Sequence, residues 1–365
     1  MTGPSSHLDK GWRCLDEGDF SGARRAAERD MEEDPGNPES LLLLAACARA
    51  QGDFEKSLEL LAQASEADEE WGAPSQWMAE ILAEDLGRPE EALKFASQAL
   101  ERADEEEEFL DAIVLKAGLE IQLGKTKAAQ VTLSEFPSAD EVDLPPELSL
   151  DLGYLFLEAE VIAEAEKRFR SLTSVMEKPG GLPSLPAMLH AEQSSAASHA
   201  VATEHQAEAW YGLGLCAEAL SDESGKRDAW LQVLTLDSEA PLAEPRLSEA
   251  EMGEVAEQAL KELPEAARKL IAHVPIVIVD SPARQEVERG MDPRLLGMFE
   301  GTAYSDGGML GGAPQVTQIL LFRKNLERMA VDAEDLREQI RITLLHETGH
   351  FFGMSEDDLA DVGLD

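Results

Sequence analysis

The sequence predicts a multi-domain protein: an all-α helical-repeat solenoid followed by a small α+β domain. Three observations lead there. A glycine-centred pattern recurs along the first part of the chain, with Gly18 and Gly52 34 residues apart. Hydrophobic residues make up 43% of the sequence but aromatic residues only 5%. Apolar surface therefore comes mainly from Leu, Ala, Ile and Val, a composition that favours helices. Beyond residue 248, short β-branched runs alternate with helical periodicity and end in a histidine-bearing helix.

The repeats come first. "EGDFSGARRA" begins at Glu17, "QGDFEKSLEL" at Gln51, "LGRPEEALKF" carries Gly87 and "LGKTKAAQVTL" carries Gly124. Five residues after each glycine stands a small residue: Ala23, Ser57, Ala92 and Ala129. A fifth unit keeps the small residue at Ala165 but has Glu160 in the glycine's place. A sixth carries Trp210, Leu213 and Gly214 as W-x2-L-G, with Lys226 where the small residue belongs. Such units need two amphipathic helices, a turn with backbone freedom, and a small residue where the helices close on each other. Each leaves an apolar face for its neighbour to bury.

This pattern resembles a tetratricopeptide repeat array. The resemblance implies a concave groove that binds peptides or proteins, although no residue names a ligand; a spacer or self-association role is the plainer alternative. Repeats are expected over 1–178 and 206–240. Between them, 179–205 is rich in Pro, Gly, Ser and Ala and reads as a long loop or mobile insertion, with room for a short helix. His190, His199 and His205 lie in or beside it, at spacings that fit no common metal site. A linker over 241–247 then leads to a domain over 248–365.

Charge limits the partners. The chain has 74 acidic and 31 basic residues, a net charge of −43. That repels nucleic acid and anionic membrane surfaces. The three cysteines form no CxxC and suggest no disulfide framework. The opening residues lack an apolar segment, and no apolar run is long enough to span a bilayer, so a cytoplasmic protein is expected.

In the last domain, "EVAEQALKELPEAARKLIA" has helical periodicity. Strands are expected at 274–280, 295–301 and 316–322, with a polar loop around 281–293 and the helical "RKNLERMA" after the third strand. The glycine-rich "TAYSDGGMLGGAPQ", 302–315, lacks the spacing of a phosphate loop and reads as a flap bordering a cleft. An extended peptide is expected to pair with the edge of the 316–322 strand. Tyr304, in the flap, is either an oxyanion donor or simply a loop tyrosine.

The final helix begins at Asp332, an N-cap, and ends near Gly353. It carries "HETGH": His346 and His350 are one turn apart on one face, with Glu347 beside them. Two neutral imidazoles at this spacing can grip one Zn2+ ion, while the carboxylate remains available as general base toward an activated water. The helix is followed by "SEDD", where Glu356 stands six residues after His350.

From about residue 248 onward the chain resembles small bacterial domains grouped as zinc metallopeptidases with a minimal zincin-like fold. The resemblance rests on "LLGMFEG", "LFRKNLERMA" and "LREQIRITLLHETGHFFGMSEDDL". It implies a compact α+β domain and metal-dependent peptidase chemistry. Metzincins place a third histidine where this chain has Glu356, and the resembled domains also have an acidic residue there. Glu356 is thus a candidate third ligand, Asp357 competes with it, and no protein ligand is the third option. "SEDD" also reads as a helix start, with Ser355 as N-cap. The sequence therefore predicts a zinc peptidase acting on peptide or protein substrates, with repeats that recruit them. The alternative is a repeat-based binding scaffold whose zincin-like domain is catalytically idle or only holds metal.

Overall fold

A computed structural model describes residues 7–142, 144–174, 194–240, 245–263, 265–271, 273–301 and 316–352. The chain divides into two compact units, Met1–Arg168 and Phe169–Asp365.

The first unit is built of antiparallel helix pairs: α1 (His7–Asp16) with α2 (Phe20–Glu33), α3 (Pro38–Ala50) with α4 (Phe54–Ala67), α5 (Ala73–Glu80) with α6 (Pro89–Arg102), and α7 (Glu106–Gln122) with α8 (Thr126–Leu133). α9 (Pro146–Glu158) follows, and α10 (Ile162–Ser174) begins in this unit and continues past Arg168. Gly18, Gly52, Gly87 and Gly124 all have positive φ, between 61° and 77°. Glu160, expected at the same place in the fifth turn, adopts φ 59°. The small residues Ala23, Ser57, Ala92, Ala129 and Ala165 are fully buried. Ser57 also donates its hydroxyl to Ala45 O at 2.8 Å, so a polar side chain is tolerated at that contact. The spacing from Gly52 to Gly87 is 35, one more than from Gly18 to Gly52. The helix after α5 absorbs the extra residue by widening into a π-helical turn, Ile81–Asp85, with Leu86 N donating to Ile81 O.

In the second unit α11 (Ser194–Ala219) and α12 (Glu223–Glu239) form the sixth pair, turning at Ser221 with φ 57°. The loop expected over 179–205 is thus helical from Ser194 onward, in one continuous helix that includes His199 and His205; His190 lies outside the described residues. Gly214 is required by packing, since a Cβ there would stand 2.2 Å from the Trp230 indole. Lys226 occupies the small-residue position with its ammonium 5.1 Å from the centre of the Trp230 ring and paired with Glu218 and Glu223. Its stem provides the packing, and its head is held by those two acids although the residue is buried.

The remainder is α+β. A Ser248–Glu251 capping box starts α13 (Glu249–Glu262), and α14 (Glu265–Ile271) follows beyond Pro264. Next come β1 (Ile276–Val279), a single turn α15 (Arg284–Val287) inside the expected polar loop, β2 (Gly297–Gly301), β3 (Val316–Phe322), α16 (Arg323–Met329) and α17 (Ala333–Phe351). The sheet order is β1-β3-β2, with β1 parallel and β2 antiparallel to β3. Ile319 and Leu321 face Met252, Leu326, Leu336, Ile340 and Leu344 in one core. This order corrects the expected peptide-pairing edge. The 316–322 strand is central and hydrogen-bonded on both sides, so the edge strand beside α17 is β2.

Candidate metal centre

The candidate site sits on α17. Asp332 caps the helix, accepting from Glu334 N at 2.8 Å and Asp335 N at 2.9 Å. These two backbone donors hold its carboxyl below the ordinary carboxylate range. Asp335 in turn accepts from Val331 N at 2.8 Å. The helix ends at Phe351 with Phe352 as C-cap, one residue before the expected Gly353.

Rotation of the helix is set by its buried stripe. Leu336, Ile340, Thr343, Leu344 and Thr348 are buried against the sheet and α13. His346 and His350 lie beside that stripe and are half-buried. Their Nε2 atoms are 2.9 Å apart, and the rings stand 81° to each other with centroids 4.5 Å apart. The two nitrogens therefore face each other at hydrogen-bond distance. A tetrahedral ion with Zn–N bonds of ~2.05 Å needs a separation of ~3.3 Å, so opening by ~0.4 Å suffices. The donor chemistry and geometry of the pair fit zinc. Glu347, also half-buried, follows His346 directly on the helix.

Beside this helix, Gly297 at the start of β2 is a close-approach position. A Cβ there would meet Thr343 Cγ2 at 2.8 Å, Leu320 O at 3.1 Å and Leu321 Cδ2 at 3.2 Å. Thr343 is one turn before His346, so the glycine brings the edge strand onto the helix close to the histidine pair. In the sequence Gly297 reads only as part of the 295–301 strand, although a glycine inside a strand pattern signals close backbone approach.

Residues 271–364 match the zincin-like metallopeptidase family. Residues 15–80 match the tetratricopeptide repeat family. Solved structures with similar folds include PilW, a type IV pilus biogenesis factor, 16% identical over 65% of this chain and 94% of its own, TM-score 0.42. A tetratricopeptide repeat protein from Parabacteroides merdae is 18% identical over 73% and 95%, TM-score 0.40. MamA is 19% identical over 48% and 96%, TM-score 0.36. A comparison with curated proteins found no match.

Of the expected site residues, the zincin-like domain thus brings His346 and His350 together and keeps Glu347 adjacent. Glu356, Asp357 and Tyr304 lie outside the described residues. Among the described residues no group of three or more His, Cys, Asp or Glu is gathered to hold a metal. Nor is any helix among them long and apolar enough to cross a membrane.

Proposed function

We propose that the chain is a zinc-dependent peptidase whose tetratricopeptide-type repeats recruit a protein substrate or partner. The observation that carries this is the approach of His346 Nε2 and His350 Nε2 to 2.9 Å on a helix that also presents Glu347. His346 and His350 would hold the ion, with Glu356 completing the set by its position six residues on. When bound, zinc supplies Lewis acidity toward a water and a substrate carbonyl. The chain's own residues do the rest. Glu347 takes the proton of the attacking water on its carboxylate and delivers it to the leaving amine. β2 lies at the sheet edge next to the site, and its backbone there can pair with an extended peptide and align the scissile bond. Gly297 lets that edge lie against α17.

The test is elemental analysis and a peptide-library screen on the full chain and two variants. His346→Ala should lose stoichiometric zinc. Glu347→Gln should keep zinc and lose cleavage by at least about a hundredfold, the usual scale of general-base loss. Zinc retained in His346→Ala removes the proposed ligand set. Zinc bound by the native chain with no turnover of any peptide favours the scaffold alternative instead.

A further inference from the structure

The second unit contains a cavity of about 300 Å3 away from the α17 histidines' own helix, between α11, α12 and α16. Its charge is unlike the rest of the molecule. Five basic side chains line it, Arg246, Arg294, Arg323, Lys324 and Arg328, against three acids, Glu204, Asp237 and Glu327. In a chain of net charge −43, the lining side chains are net positive by two before the acids behind them are counted, and Glu204 and Arg328 are both solvent-exposed. Four of the 11 basic residues after position 247 are gathered here.

The ion pairs satisfy the four arginines and leave one cation of the wall, Lys324, over. Asp237 Oδ2 serves both Arg294 Nε and Arg328 Nη1, each at 3.1 Å. Arg294 is completed from behind by Glu208 at 2.7 Å, and Arg323 by Asp280 at 2.6 Å; neither acid lines the cavity. Arg246 takes Glu327 at 3.0 Å. Lys324 has no carboxylate within ion-pair distance among the described residues, and its ammonium reaches only Ser238 O, at 3.5 Å. Lys324 and Arg328 are one turn apart on α16 and both line the cavity. The α16 side chains Leu326 and Asn325 are buried on its other side, which fixes the helix with this pair toward the cavity.

We propose that this cavity binds a small polyanion bearing phosphate or carboxylate groups. Lys324 and Arg328 are its main contacts, with Arg246 beside them. Guanidinium and ammonium groups bind such oxyanions through charge-assisted hydrogen bonds, and the cavity has the size of a small-molecule site. An oxyanion here would give Lys324 an ionic partner and Arg328 one of its own. This inference does not rest on the zinc reading.

Calorimetric titration of the full chain, stripped of divalent metal, with sodium pyrophosphate and with citrate tests it. The same titrations on a His346→Ala/His350→Ala chain keep binding at the histidine pair out of the count. One saturable event per chain is expected in both proteins, weakening as salt rises. Lys324→Gln and Arg328→Gln should each weaken it about tenfold or more, and Lys324→Arg should retain it. Lys269→Gln, an exposed charge paired with Glu265 on α14, should leave it unchanged. Tighter pyrophosphate assigns the site to phosphates, and tighter citrate to carboxylates. No saturable binding of either probe at millimolar concentration overturns the proposal. So does unchanged affinity in a folded Lys324→Gln/Arg328→Gln chain.

Discussion

Gly297→Ala tests how the zincin-like domain brings strand and helix together at the candidate site. The new methyl would stand 2.8 Å from Thr343 Cγ2 and 3.1 Å from the carbonyl of Leu320. Neither neighbour is the far end of a flexible chain, so strand and helix must separate. Overpacking of this kind costs about 1–3 kcal/mol. Thr343→Ser removes the very methyl that is met and by itself costs ~0.8 kcal/mol, one buried carbon. If the contact is real, the two changes are not additive. The double variant should recover at least ~0.5 kcal/mol relative to the sum, though not all of it, because Leu320 O remains. Native-state hydrogen exchange, read by mass spectrometry on the β3 segment Val316–Phe322, reports this domain separately from the repeats. A loss of ~2 kcal/mol appears there as roughly thirtyfold faster exchange. Additive costs, or a neutral Gly297→Ala, would refute the packing on which the site's edge strand depends.

Further outcomes follow from single residues. Glu160→Gly should stabilise the repeat unit by about 0.5–1 kcal/mol in urea unfolding, because Glu160 adopts φ 59°, where a side chain costs ~1–2 kcal/mol and glycine's extra unfolded-state entropy offsets only part. Gly52→Ala, at φ 77°, should move the same midpoint the other way. Asp332 should stabilise α17 at neutral pH and lose that effect on acidification. Its folded pKa is depressed, so the contribution is present above the ordinary carboxylate value and disappears as pH falls through the folded one. The stability gap between the native chain and Asp332→Asn, followed from neutral to acid pH, checks the sign. Tyr211 should stay protonated well above the usual tyrosine range. Burial raises its pKa, and so does Asp292, which accepts its hydroxyl at 2.8 Å. The 295 nm absorbance of the native chain and of Tyr211→Phe should therefore coincide through pH ~10, where an ordinary tyrosine is half ionised.

Local chemistry made much of this molecule legible. The repeat turns were readable because a left-handed residue and a small residue five places on are both needed by neighbours in sequence. The pattern located the turn even where Glu160 replaces glycine, and the structure has it at φ 59°. The strand β3 was placed at its observed ends, 316–322, by its apolar run. The imidazole pair was readable because helical periodicity alone brings i and i+4 together. Helix continuity across the insertion was less so. Its Ser- and Ala-rich composition suggested a loop, yet α11 runs unbroken from Ser194 to Ala219.

By itself the sequence determined the helix pairs, their turns, and two histidines on one face of the last described helix. These depend on residues a few places apart, whose geometry the backbone dictates. Only the tertiary structure decided that β3 is central and β2 the edge, that Gly297 meets Thr343, and that Arg246, Arg294, Arg323, Lys324 and Arg328 share one cavity. Strand order and side-chain gathering arise from contacts between residues far apart in the chain, and they are set by which apolar faces bury each other.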